Sequence, residues 1–180
     1  MSLEDTYDDE VAALYRKSAR KVLAFLCSMG CDRGLAEEIT DDAFLGARRH
    51  WVKVRGYDQP EGYVFMIAKN ERSKRQKKHD DQAWDLHPDP QEPAREPGKD
   101  PAQQVIDGAV IRQALQRLPP KQREAVCLRH IGDMSEKMTA ELMGISIGCV
   151  KSYAHEGRKA LRELLAEFRP REEATDDRGR

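Results

Sequence analysis

The chain has 180 residues, 35% of them charged and 39% apolar, with a formal net charge of −1. That length holds one domain or two small ones, and apolar runs of only a few residues exclude a membrane span. The acidic opening MSLEDTYDDE lacks the apolar core of a secretory signal or transit peptide, so a cytoplasmic location is expected, with no membrane insertion.

The near-zero net charge conceals an uneven distribution. Residues 1–79 hold 15 Lys/Arg against 13 Asp/Glu, residues 80–107 hold 2 against 8, and residues 108–169 hold 11 against 7. Two mildly basic blocks thus flank an acidic strip, which permits a nucleic-acid partner without demanding one. The four cysteines, Cys27, Cys31, Cys127 and Cys149, lack paired metal-ligand spacing. Cys27 and Cys31 stand one helical turn apart with no nearby histidine, and the reading for them is small buried apolar residues.

Val11 to Met29 has the period of an amphipathic helix, with Val11, Leu14, Tyr15, Ser18, Val22, Phe25, Leu26 and Met29 on one face. Gly30 ends it and Asp32 can cap the next. A second helix runs from about Gly34 to Trp51, with Leu35, Ile39, Ala43, Ala47 and Trp51 inward. Its other face carries Glu38, Asp41, Asp42 and Leu45, with Phe44 at the border. That face suits docking onto a basic protein surface, or is simply solvated. Lys53, Arg55, Gly56 and Tyr57 form a basic loop with one aromatic ring, and Pro60 opens a third helix. Val64, Ile67 and Ala68 pack inward there. Lys69, Arg72, Lys74, Arg75, Lys77 and Lys78 then make the helix strongly basic. Such a run attracts phosphate, and the aromatic loop before it favours single-stranded nucleic acid, whose bases stack on rings.

Asp80 to Pro101 contains five of the nine prolines and most of the acidic excess, so it reads as an extended linker with Trp84 and Leu86 as surface anchors. Val105 to Leu118 is helical, Pro119-Pro120 stops it, and a further helix starts at Lys121. Ser135 to Met143 and the segment from Ile147 form a helix-turn-helix about Gly144-Ile145-Ser146. Gly144 fits the left-handed position that ends a helix, and Ser146 can cap the next one. Val150, Ala154, Leu161 and Leu164 fall on one side; Cys149, Lys151, Ser152, His155, Glu156 and Lys159 fall on the other. A polar, partly basic outer face backed by a buried stripe suits a DNA major groove, and equally describes an ordinary solvated hairpin.

The expected fold is therefore all-α: two small helical domains, residues 1–79 and 105–169, joined by the acidic, Pro-rich flexible linker 80–104. The second ends in the helix-turn-helix, and residues 170–180 form a polar tail.

Leu118–Leu165, with its LPPKQRE opening, AELMGISIGCVKS turn and KALREL ending, resembles region 4 of bacterial RNA polymerase sigma factors of the sigma-70 family, extracytoplasmic-function group. LYRK, AEEITDDAFLGARRHW and QPEGYVFMIAKNERSKR resemble region 2 of the same group. Together the two resemblances cover roughly residues 11–79 and 108–166.

The resemblance implies that Glu38, Asp41, Asp42, Phe44 and Leu45 dock on the coiled coil of the largest polymerase subunits. It implies that Lys53, Arg55, Lys69, Asn70, Arg72 and Arg75 contact bases or phosphates of the −10 element, part of it single-stranded. Gly148, Lys151, Ser152, Tyr153, His155, Glu156, Arg158 and Lys159 would lie on the helix that enters the duplex −35 groove. Sigma factors of this group are often held by an anti-sigma partner. At Tyr153 and Glu156 the family usually has arginine; Glu156 can accept from a cytosine amino group but cannot bind phosphate. Glu136, Lys137, Met138 and Thr40 also depart from the family pattern.

The expected function is a dissociable promoter-specificity subunit without cofactor, metal or active site, since no nucleophile or partnered acid constellation is present. The alternative is a self-sufficient helix-turn-helix regulator whose N-terminal half mediates interaction.

Overall fold

The computed structural model describes residues 3–83 and 102–167, and side chains within 6–77 and 108–167. Of the expected acidic linker 80–104, residues 80–83 and 102–104 are helical, since the flanking helices run on into it; the rest, with Trp84 and Leu86, and the polar tail lie outside the described residues. Among the described residues there are eight α-helices: α1 (Leu3–Ser28), α2 (Arg33–Arg49), α3 (Trp51–Val54), α4 (Pro60–Ala83), α5 (Ala102–Arg117), α6 (Pro120–Val126), α7 (Glu136–Met143) and α8 (Ile147–Glu167). A π-helical turn, Cys127–Ile131, prolongs α6.

α1, α2 and α4 pack on one another to form the first helical unit. Val11, Leu14, Ser18, Val22, Phe25 and Leu26 of α1 are buried, and Ser18 satisfies its hydroxyl on the Leu14 carbonyl at 2.7 Å. Tyr15 departs from the expected inward face: it is 43% exposed, because it sits at the edge of the stripe and turns toward α2. Asp32 caps α2 by accepting from the Leu35 N–H at 2.9 Å, which places Ile39, Ala43, Phe44 and Ala47 inside. α2 stops at Arg49, so Trp51 opens the separate turn α3 and does not end α2. Its ring is nonetheless buried, and its indole N–H donates to Glu10 at 2.6 Å. Val64, Phe65 and Ala68 bring α4 into the core, where Phe65 meets Phe25 edge-on at 5.4 Å. Each such fully buried ring contributes roughly 1.5–3 kcal/mol of hydrophobic stabilisation.

In the second unit Pro120 begins α6 in the first helical turn. Ser135 caps α7 through the Met138 N–H at 3.1 Å, and Gly144 ends it at φ 65°, ψ 37°. That left-handed geometry is the reason for glycine at the turn. Ser146 then caps α8 through the Cys149 N–H at 3.2 Å. Gly157 lets α8 approach α6: a Cβ there would stand 3.1 Å from the Gln122 carbonyl.

The π-helical turn was not legible in the sequence. It buries Cys127 and Leu128 against α1. Burial pushes the Cys127 thiol up to about 12, whereas Cys149 is exposed and Cys27 and Cys31 are half-buried. At pH 8 iodoacetamide should therefore label Cys149 in the native chain and reach Cys127 only on unfolding, as peptide mass spectrometry will show. Labelling of Cys127 at the rate of Cys149 would contradict this packing.

The two units are not separate bodies. α1 packs against α5 and the π-helical turn, α4 packs against α7, and the buried side chains of both units form one cluster.

Candidate functional site

The acids expected on one face of α2 divide between two faces. Asp41, Phe44 and Leu45 line a groove of about 470 Å³ with Asp8, Val11, Ala12 and Tyr15 of α1 and Arg48 of α2. Phe44 forms the floor, tilted against the Tyr15 ring at 4.8 Å, and Leu45 stands on the rim 52% exposed. The Tyr15 hydroxyl donates to Asp41 at 3.2 Å; its partial burial and that carboxylate hold the phenol above its ordinary pKa. Arg48 clamps Asp8 through two bonds, at 2.6 and 3.0 Å, which holds the Asp8 carboxyl below its usual range. The result is an apolar slot edged by acid, shaped for a partner offering apolar side chains and cations. Asp8, Val11 and Tyr15 were not anticipated here, since periodicity assigned Val11 and Tyr15 only to the core.

Glu38 and Asp42 point the other way, toward α4, where Arg75 pairs with them at 2.7 and 2.5 Å. Arg75 was expected to face nucleic acid; instead it ties α4 to α2. Four other cations expected on that surface are also engaged. Arg72 donates to the Met29 carbonyl at 2.7 Å, Lys74 pairs with Glu71 at 2.7 Å, and Lys69 reaches Glu124 of α6 at 2.7 Å. Arg55 pairs with Glu10 at 2.7 Å and lies 5.3 Å over the Tyr7 ring. Lys53 and Asn70 are exposed.

Beside Lys53, His50, Tyr57 and Tyr63 form a chain of rings: Tyr63 lies 6.2 Å from Tyr57 and 6.4 Å from His50. Tyr57 is exposed and Tyr63 half-exposed, with exposed Val52 and Met66 also in this part of the unit. These rings offer π-faces to unstacked bases. Of these rings Tyr57 alone is legible in the sequence, as the aromatic residue of the basic loop.

On α8, Gly148, Lys151, Ser152, His155, Glu156, Arg158 and Lys159 are exposed along one side. Tyr153 differs: it is half-buried and packs against the core. Lys151 lies 3.5 Å from Glu136 at the start of α7, and Glu156 accepts from the Gln122 side chain at 3.0 Å. α7 packs against α8 and leaves that side open, so α8 can enter a groove.

Residues 14–81 match the family model described as Sigma-70 region 2, and residues 109–161 match Sigma-70, region 4. The chain is 31% identical over 174 residues to RNA polymerase sigma factor CarQ of Myxococcus xanthus, covering 92% of each chain. It is 30% identical over 132 residues to RNA polymerase sigma-E factor of Streptomyces coelicolor, covering 72% of this chain and 71% of that protein. In fold it is similar to the sigma factor RpoE of Bartonella quintana, solved with the anti-sigma factor NepR. There the TM-score is 0.64 at 24% identity, covering 89% of this chain and 99% of that one. It is also similar to CnrH, solved with the cytosolic domain of CnrY, at TM-score 0.58 and 18% identity over 90% of this chain and 91% of that one.

Proposed function

Since the chain belongs to the extracytoplasmic-function group of sigma-70-family RNA polymerase sigma factors, we propose how its surfaces divide the work of directing core polymerase to promoters. A sigma factor of this kind binds core polymerase and promoter DNA and catalyses no reaction of its own. Residues 1–79 and 105–169 are its two working domains, joined by 80–104. The α1–α2 groove takes the polymerase, with Leu45 and Phe44 as apolar anchors and Asp41 as the acid that meets a cation. Glu38 and Asp42 act one step back: with Arg75 they fix α2 against α4.

The ring chain of His50, Tyr57 and Tyr63, flanked by Lys53 and Arg55, receives unstacked bases of the −10 element. Lys69, Asn70 and Arg72 guide its phosphates. The capture must offset the few kcal/mol of unstacking, and stacking at about 1–3 kcal/mol per base does so. The exposed side of α8 reads the −35 duplex. No helix among the described residues is long and apolar enough to cross a membrane, and the site of action is the cytoplasm. A protein of the NepR or CnrY kind would compete for these same faces.

The observation that carries this reading is the apolar slot floored by buried Phe44, rimmed by exposed Leu45 and Tyr15 and edged by Asp41, on the same unit as the ring chain. Co-elution tests it: mixed with core polymerase, the chain should run as a one-to-one complex in gel filtration. Elution of all the chain apart from core would refute it.

Glu156 sets specificity at one −35 position. Replacing Glu156→Arg frees Gln122 and adds a guanine-reading fork, so selection from a randomised −35 library should shift toward guanine, with about 1–3 kcal/mol of discrimination. An unchanged selected sequence would place Glu156 outside the groove.

A further inference from the structure

Cys27 and Cys31 belong to neither the docking groove, the ring chain nor the outer side of α8, yet the backbone sets them one turn apart. α1 ends in a turn that Gly30 makes at φ 96°, a left-handed angle that favours glycine. The Gly30 N–H donates to the Cys27 carbonyl at 3.1 Å, and the Cys31 N–H reaches past it to the Leu26 carbonyl at 3.1 Å. These two bonds are the Schellman closure of a helix, and they fold Cys31 back onto the turn that carries Cys27. One turn spans about 6 Å between α-carbons, within the roughly 4.4–6.8 Å that a disulfide bridges. Both thiols are free and half-buried, so a small oxidant can reach them. Their surroundings are cationic. Arg72 of α4 donates to the Met29 carbonyl at 2.7 Å and also hydrogen-bonds the Cys31 thiol. Arg33 of α2 and Arg112 of α5 act on Cys27, against the acid Asp32. Burial pushes both thiols above their ordinary pKa, and these guanidiniums pull the other way. A guanidinium hydrogen-bonded to sulfur favours the thiolate, so Cys31 is the better nucleophile of the two.

We propose that Cys27 and Cys31 are a dithiol that hydrogen peroxide oxidises to an intramolecular disulfide, with Cys31 attacking and Cys27 resolving. The Cys31 thiolate attacks one peroxide oxygen. An S–O bond forms, the O–O bond breaks, and the departing hydroxide takes up the thiol proton as water. The Cys27 thiolate then attacks the sulfenic sulfur. The S–S bond forms, the S–O bond breaks, and a second water leaves. Together the two thiols give up two electrons and two protons, and the peroxide is reduced to two waters. Because Cys27 already stands one turn away, the sulfenic acid is consumed internally before a second peroxide carries it to sulfinic acid. A thiol reductant reverses the bridge, so the pair registers peroxide transiently and is not a structural staple. The chemistry is independent of the docking and strand-capture readings and needs neither polymerase nor DNA.

The full chain, fully reduced, is treated with hydrogen peroxide, quenched with iodoacetamide and digested with trypsin. Residues 22–33, cut after Lys21 and after Arg33, form one tryptic peptide that holds both cysteines. After peroxide this peptide should weigh two hydrogens less and carry no iodoacetamide label, and dithiothreitol should restore both thiols. Cys27→Ser should replace the bridge with a sulfenic acid on Cys31 that dimedone traps. Cys31→Ser should slow the peroxide reaction of the remaining thiol at least about tenfold. Since burial raises both thiols, bridging should speed up at least about tenfold from pH 7 to pH 9. Arg72→Gln should move that pH profile upward, whereas loosened packing alone would expose the thiols and move it downward. The bridge is overturned if the peptide keeps both hydrogens under peroxide that oxidises Cys149, or if Cys31 reaches sulfinic acid while Cys27 stays free. Equal peroxide rates in Cys27→Ser and Cys31→Ser would overturn Cys31 as the attacking sulfur.

Discussion

Leu45→Glu is expected to weaken binding to core polymerase by at least about thirtyfold, the effect of losing a hot spot worth about 2 kcal/mol. Leu45 is 52% exposed in the free chain and stands on the rim of the groove above Phe44. An exposed leucine beside an exposed acid gains little in water; it gains when a partner covers it. Glutamate adds a second charge next to Asp41, and an uncompensated charge in a desolvated contact is the costliest substitution available there. The folded chain should barely register the change, because Leu45 contributes nothing to the buried cluster. Fluorescence titration of labelled chain with core gives the affinity, and a denaturation midpoint serves as the control. Asp42→Lys is the informative companion. It disrupts the Arg75 pair and not the groove, so its effect on core binding should be the smaller of the two. Equal effects would mean that both faces of α2 touch the polymerase.

The second large effect concerns DNA opening. Replacing Tyr57 and Tyr63 together with alanine removes two of the three linked rings. Open-complex formation by the holoenzyme should fall at least about thirtyfold, since each of the two lost stacks is worth about 1–3 kcal/mol. Core binding and duplex −35 affinity should stay as they were. Tyr63→Phe, which keeps the ring, should keep most of the opening. Permanganate reactivity of thymines near the start site measures this. Undiminished reactivity in the double variant would move base capture elsewhere on α4.

Local chemistry carried much of the fold into the sequence. Asp32, Ser146 and Gly144 each act through the backbone within three or four residues, so their roles were legible from type and position. Tyr15 was not. A helical period fixes the angle of a side chain about the axis, but not whether the neighbour at that angle covers it, and here α2 leaves the ring half out. The same limit explains Arg75. As a cation in a basic run it read as available to phosphate, and only the packing of α4 on α2 brings it between Glu38 and Asp42. The pairing of Lys69 with Glu124 spans 55 positions and belongs to tertiary structure alone. The site was legible as a set of residue types; its division into a groove and a ring chain required the fold.

We propose that one chain joins a polymerase-docking groove to strand capture and −35 reading. The most direct test is run-off transcription by purified core, with and without the chain, from fragments carrying randomised −35 and −10 elements. Chain-dependent transcripts are expected whose templates share both elements, with thymines in the −10 element reactive to permanganate only when core and chain are both present. Tight duplex binding by the chain alone, with no transcripts gained on adding core, would contradict it.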